Sequence, residues 1–143
     1  MKTLLVVCEG NICRSPMAQG LLKTRLAGWN VMSAGLGAVI GAAADPLAVA
    51  LLGNRGIDIS MHRATQITRK MCLDSEIVLV MEQDQRKRLE RMYPETRGRV
   101  FRLSEFADAD VPDPYRQPEQ AFRHALAMID EGVERWVLRI HRI

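Results

Sequence analysis

Cys8 and Arg14 bracket the segment Cys8-Glu9-Gly10-Asn11-Ile12-Cys13-Arg14-Ser15. A thiol and a guanidinium at this spacing can face one another across an oxyanion if the residues between them wrap it. The thiolate is the attacking form of cysteine, and a helix N-terminus with a neighbouring cation favours it. Arg14 has a planar fork that grips two oxygens of a phosphate, which lysine cannot match. Gly10 and Asn11 both tolerate positive φ, so the backbone can curl and turn successive N–H groups inward as an anion nest. The phosphate-binding residues on this reading are Glu9, Gly10, Asn11, Ile12 and Cys13. The Ser15 hydroxyl can donate to the Cys8 sulfur. The chemistry is attack of sulfur on phosphorus, and it requires an acid for the departing oxygen. Asp113 in Val111-Pro112-Asp113-Pro114-Tyr115 is the candidate, held in a loop stiffened by two prolines. Tyr115 can line the entrance and stack on an aryl leaving group.

Each residue also has an ordinary reading. A cysteine ending a strand is commonly a small buried hydrophobe. An arginine opening a helix is commonly surface charge, and Asp-Pro pairs commonly start turns. The conjunction of Cys, five residues and Arg-Ser between a strand and a helix is what favours catalysis. No Gly-Lys-Ser/Thr follows, so this is not a Walker loop, and no Cys-x-x-Cys exists for a thioredoxin-like site. Cys8, Cys13, Cys72 and His62 lack ordinary zinc spacing. No metal and no cofactor is expected.

The loop needs a strand before it and a helix after it. Thr3 to Val7 is an unbroken aliphatic run, as in a strand covered on both faces. Ser15-Pro16 reads as an N-cap with proline at the first helical position. Met17, Ala18, Leu21, Leu22 and Leu26 form an apolar face, and Gly28 ends that helix. Asn30 to Ser33 is a second strand. Ala34 to Gly53, nearly uncharged, reads as a loop and then a helix, capped by Asp45-Pro46 with Leu47, Ala50 and Leu51 inward. Ile77 to Met81 is a third strand. A polar, arginine-rich helix follows over about Asp84 to Met92, and Arg99 to Leu103 is a fourth strand. Phe106 to Gln117 is an acidic, proline-containing loop. Pro118 opens the last helix, with Phe122, Leu126, Ile129, Val133, Trp136 and Ile140 on one stripe. Alternating strands and helices predict a doubly wound α/β fold: a three-layer αβα sandwich around a four-stranded parallel sheet. Ligands of such sheets sit beyond the strand C-termini, and Cys8 ends the first strand.

With 143 residues, 48% hydrophobic and 26% charged, the chain has the size and composition of one globular domain, taken as residues 1–143. The charge of +3, from 20 basic and 17 acidic residues, is too small to argue for nucleic acid. Three widely spaced cysteines do not make a secreted disulfide framework. The apolar run before Cys8 is too short for a signal, and no stretch reads as a membrane span. A cytoplasmic protein without membrane insertion is expected, a monomer or weak dimer. Arg86, Lys87, Arg88 and Arg91, interleaved with Glu82, Asp84 and Glu90, read as a solvated helix face, as do Arg135, Arg139 and Arg142.

The run Val7-Cys8-Glu9-Gly10-Asn11-Ile12-Cys13-Arg14-Ser15-Pro16 resembles the signature of low-molecular-weight protein tyrosine phosphatases. Ser33-Ala34-Gly35, Ala44-Asp45-Pro46, Gly56-Ile57-Asp58-Ile59-Ser60, His62-Arg63-Ala64 and Asp113-Pro114-Tyr115 fall in that family's order, so the resemblance covers nearly the whole chain. It implies Cys8 as nucleophile, Arg14 as phosphate ligand, Asp113 as proton donor and Ser15 as an aid to the sulfur leaving group. It also implies that Asn11 holds a strained turn with His62 bonded to it. Ser33-Ala34-Gly35-Leu36-Gly37-Ala38 and Val111-Pro112-Asp113-Pro114-Tyr115-Arg116 are most similar to bacterial members working with exopolysaccharide or capsule tyrosine autokinases. The implied partner is a phosphotyrosine protein, a membrane tyrosine autokinase. The aliphatic Leu36 to Ile40 stretch predicts a more open cleft than in eukaryotic members. Thr65 replaces an arginine common in relatives, which removes a basic contact there. Glu9 reads equally as a cleft-wall charge that disfavours acidic flanking residues or as a solvated carboxylate. Cys13 reads as a reversible disulfide partner for Cys8, which the resemblance supports, or as plain packing. Arsenate reductases of the same fold need two further cysteines after a later strand, and Val80-Met81-Glu82 offers none. A catalytically silent phosphotyrosine-binding module would need neither Cys8 nor Asp113.

Overall fold

In β1 (Lys2–Cys8) alternate side chains pass to opposite faces of the sheet, and both faces are covered. Leu4, Val6 and Cys8 enter one apolar core, Leu5 and Val7 the other. The computed structural model describes residues 1–142. The further elements are α1 (Arg14–Arg25), β2 (Trp29–Gly35), α2 (Pro46–Gly53), α3 (Arg69–Leu73), β3 (Ile77–Val80), α4 (Gln83–Met92), β4 (Val100–Arg102) and α5 (Glu119–Ile140). Short 3₁₀ turns lie at Pro94–Thr96 and Glu105–Ala107.

The four strands pair in parallel in the order β2-β1-β3-β4. Buried residues of α1, α2 and α5 fill the first core, while Cys72 of α3 and Leu89 of α4 fill the second. This is the expected αβα sandwich. The chain leaves β1 toward β2 and leaves β3 toward β4, so the sheet's switch point lies between the C-termini of β1 and β3. The register sets Val7 opposite Val80, which brings Cys8 level with Met81 and Glu82.

The apolar stripe on α5 is buried as its spacing predicts. Trp136 anchors it at the end of β4, its Nε1 donating to the carbonyls of Leu103 at 3.0 Å and Arg102 at 3.2 Å. Truncating that ring would cost about 3–5 kcal/mol. Asp45 caps α2 as expected, accepting from the Leu47 amide at 2.9 Å. The inward face of α2 is Ala48, Leu51 and Leu52; Leu47 is half-buried and Ala50 exposed. One residue of phase, about 100° around the helix, separates these faces, and in this eight-residue helix nearly every side chain is apolar, so spacing alone does not choose. The single turn of α3, capped by the Thr68 hydroxyl, is too short to show a period. Among the described residues, no helix is long and apolar enough to cross a membrane.

Candidate active site

The loop between β1 and α1 is held from outside by its carbonyls. Those of Cys8, Glu9 and Gly10 accept from the amides of Leu36 at 3.0 Å, Gly37 at 2.9 Å and Val39 at 3.1 Å. The Asn11 carbonyl accepts from His62 Nε2 at 2.7 Å, and that of Ile12 from the Asp45 amide at 2.8 Å. Five successive carbonyls therefore point away from the cleft. Across each trans peptide the next N–H lies opposite the carbonyl, so the amides of Glu9 to Cys13 turn the other way, toward the cleft. That is an anion nest. The 36–39 segment can lie so close because residue 35 is glycine: a Cβ there would sit 2.7 Å from the Glu9 carbonyl oxygen.

Asn11 carries the positive φ of this loop, at 59°, while Gly10 does not. The expected sharing of the turn by Gly10 and Asn11 is thus corrected. A non-glycine residue in this region costs about 1–3 kcal/mol and stays there only where its surroundings hold it. Here they do. The fully buried Asn11 side chain accepts from the Thr65 amide at 2.9 Å, which fixes the amide orientation. Its Nδ2 then donates to Ser15 Oγ at 2.7 Å and Ser33 Oγ at 3.0 Å. Ser33 passes its own hydrogen to Gln19 Oε1 at 2.7 Å. Burial holds His62 below the usual imidazole range, so its neutral Nε2–H tautomer donates to the loop.

Helix α1 begins at Arg14, with Cys13 in the N-cap position and no side-chain cap. The expectation that Ser15 is the N-cap is therefore corrected. Ser15 lies inside the first turn, and its oxygen sits 2.9 Å from Cys8 Sγ. Cys8 ends β1 at the helix N-terminus, 2% exposed. Arg14 is equally buried and aims its guanidinium through three contacts. It pairs with Glu82 and donates to the Val111 carbonyl at 2.8 Å, and its Nη2 lies 3.5 Å from Asp113 Oδ2.

Glu82 and Val111 were not legible as site residues. Glu82 is the N-cap of α4, in a capping box with Gln85. A Glu three residues before a Gln signals a cap, not an arginine partner. Val111 extends the pairing of β3, its amide donating to the Met81 carbonyl at 2.9 Å. It brings Asp113 over the switch point from β3's edge. Asp113 Oδ1 accepts from the Tyr115 amide at 3.1 Å, which turns the loop and presents the exposed carboxylate and Tyr115 at the cleft mouth. Arg116 lies against the Tyr115 ring, 5.1 Å from its centroid.

Cys8, Glu9, Ile12, Arg14, Asp113 and Tyr115 line one cleft of about 210 Å³. A larger cavity of about 460 Å³, between α1 and residues 56–62, contains none of the reactive groups apart from one side of His62. Its size gives it no chemistry, so the smaller cleft is the candidate site. Glu9 is not a free carboxylate: Arg88 donates to it from Nη1 at 2.6 Å and Nη2 at 3.2 Å. The reading of Arg88 as part of a solvated face is thereby corrected, as is that of Arg86, which faces Glu90 and Glu105. Burial, and after it the neighbouring Asp45 and Cys8, pushes the Cys13 thiol well above the usual range. Burial pushes the Cys72 thiol up to about 11, and it packs on the far side of the sheet from Cys8. All three thiols are free. Among the described residues no cluster of His, Cys, Asp and Glu could hold a metal ion.

The arrangement can bind an oxyanion in a backbone nest, attack it with sulfur and protonate what leaves. The whole chain is similar to known proteins. The probable low molecular weight protein-tyrosine-phosphatase EpsP of Ralstonia solanacearum is 50% identical over 143 residues, covering 100% of this chain and 99% of that one. The low molecular weight protein-tyrosine-phosphatase Wzb of Escherichia coli K12 is 37% identical over 134 residues, 93% of this chain and 91% of its own. The structure of Vibrio vulnificus Wzb in complex with benzylphosphonate superposes with a TM-score of 0.93 at 36% identity, covering 96% of this chain and 98% of that one. The model of the low molecular weight phosphotyrosine protein phosphatase family matches residues 3–143, and the chain belongs to that family.

Proposed function

We propose that this domain, residues 1–143, hydrolyses phosphotyrosine in proteins through a phosphocysteine intermediate. The observation that carries the reading is the convergence of Cys8, Arg14 and Asp113 on one cleft floored by inward-turned amides. Cys8 Sγ attacks phosphorus, forming the S–P bond as the bond to the tyrosine oxygen breaks. Asp113 gives its proton to that oxygen. Arg14 and the loop amides stabilise the equatorial oxygens, where charge develops. Water then attacks the phosphocysteine with Asp113, now ionised, taking its proton. Sulfur departs as a thiolate, to which Ser15 donates. Chain groups supply every proton and charge in this sequence, so no metal or cofactor enters it.

The sequence similarity to exopolysaccharide- and capsule-associated members supports a finer statement. The substrate is a tyrosine autokinase of the membrane, met from the cytoplasm by a monomer or weak dimer that binds no nucleic acid and does not itself insert into the membrane. Cys8→Ser should abolish phosphate release from an aryl phosphate while phosphate or vanadate still binds. Full activity in that variant would end the mechanism, as would loss of wild-type activity with chelator. Thiol-coupled arsenate reduction is the control: with Cys72 across the sheet and no cysteine after β3, none is expected. Stoichiometric capture of a phosphopeptide without release would mark a binding module instead.

A further inference from the structure

Two charge pairs tie the phosphate loop to α4, in opposite senses. At the loop's end its cation, Arg14, meets the anion capping the helix, Glu82. At the loop's start its anion, Glu9, meets the helix's cation, Arg88, through two hydrogen bonds. The first pair aims the guanidinium that grips phosphate. The second has no part in the mechanism above, yet Glu9 directly follows the nucleophile and lines the cleft. A phosphate monoester carries a charge of about −1.5 to −2 at neutral pH. A bare carboxylate on the wall would repel it.

We propose that Arg88 is a positioning residue for substrate binding: it cancels the charge of Glu9 and draws that carboxylate back, so the cleft admits a dianionic aryl phosphate. The backbone makes room for this posture. A Cβ on residue 37 would lie 3.1 Å from Glu9 Oε2, and Gly37 has none. Arg88 keeps its own place on α4 with Asp84, 3.8 Å away one turn earlier. A flanking acidic residue of a substrate gains little here, since engaging Arg88 would strip Glu9 of its partner. Glu9 is thus neither the unpaired cleft-wall charge nor the solvated carboxylate that the sequence offered equally, but half of a charge pair.

The proposal rests on the phosphatase reading, and the two fail differently. Steady-state hydrolysis of para-nitrophenyl phosphate and competitive inhibition by inorganic phosphate are measured for wild type, R88A, R88K and R88A/E9Q. At low salt R88A should raise both KM and the phosphate inhibition constant by about three- to tenfold, with kcat within about twofold. At about 0.5 M salt, where screening acts within a few ångströms, the defect should shrink. R88K should recover part of it, and R88A/E9Q most of it, because removing the anion removes the need for its partner. Unchanged KM in R88A, no recovery in the double variant, or a fall in kcat alone would overturn the proposal. Cys8→Ser retaining turnover would instead overturn the phosphatase reading.

Discussion

Ser15 Oγ lies 2.9 Å from Cys8 Sγ while accepting a hydrogen bond from Asn11 Nδ2 at 2.7 Å. The Asn11 amide can only donate there, since its oxygen is taken by the Thr65 N–H. Ser15 is thereby free to donate its own single hydrogen to the sulfur. Ser15→Ala removes a hydrogen bond to a charged group, of about 1.5–3 kcal/mol. The expected loss is about 10- to 100-fold in kcat, concentrated in breakdown of the phosphocysteine, where sulfur leaves. Rapid-quench measurement should show the intermediate accumulating. A uniform loss in KM alone would contradict this role.

Arg14 depends on Glu82, a residue that lies outside the loop. Arg14→Lys keeps the charge but loses the fork, and kcat should fall by about 10²–10³. Glu82→Gln leaves Arg14 its Val111 and Asp113 contacts but removes its nearer charge partner, so a smaller fall is expected, on the order of tenfold. Comparison of phosphate and vanadate affinities in the two variants separates a misaimed guanidinium from a missing one.

Asp113 is reached from β3 through Val111, and its exposed carboxylate lies at the cleft mouth. Asp113→Asn should slow esters of poorly leaving phenols by about 10²–10⁴ and esters of nitrophenols far less. The check is the slope of log kcat against leaving-group acidity, which should steepen in the variant. An unchanged slope would remove Asp113 as the acid.

His62 is held neutral by burial and donates from Nε2 to the turn at Asn11. Its folded pKa lies below the unfolded value of about 6.5. Between the two values the unfolded chain binds the additional proton, so stability rises with pH there. The contribution is fully present above about pH 6.5 and is lost as pH falls through the folded value. Urea midpoints between pH 5 and 7.5 should decline on the acid side, and His62→Gln should flatten that slope while keeping a donor for the Asn11 carbonyl.

Cys13 is buried, and its thiol is raised by that burial, by Asp45 and by Cys8. As a partner for an oxidised Cys8 it should react slowly at neutral pH and faster as pH rises. Inactivation by peroxide should be reversed by dithiothreitol in the wild type and not in Cys13→Ser. Equal recovery in both would leave Cys13 as packing.

The strands, most helices and the position of the phosphate loop follow from the sequence by itself. Aliphatic runs, the Asp45-Pro46 cap and the α5 stripe are local signals, because covered strands and amphipathic helices repeat over a few residues. Cys8, Arg14 and Ser15 could be named as candidates from side-chain type and close spacing, and Asp113 from its proline-flanked loop, but spacing alone could not bring Asp113 to Cys8. What the tertiary structure decided is which groups face which. Five loop carbonyls turn outward only because the 36–39 segment, Asp45 and His62 stand ready to receive them. Ser15 lies beside the sulfur instead of capping α1 because the helix already begins at Arg14, and Asn11 reaches its hydroxyl from a turn at positive φ. Glu82 and Arg88 join the site because parallel pairing of β1 with β3 sets α4 beside the loop, 68 and 79 positions from their partners. Charge pairs over such separations leave no periodic trace along the chain. They exist only once the sheet has closed the distance.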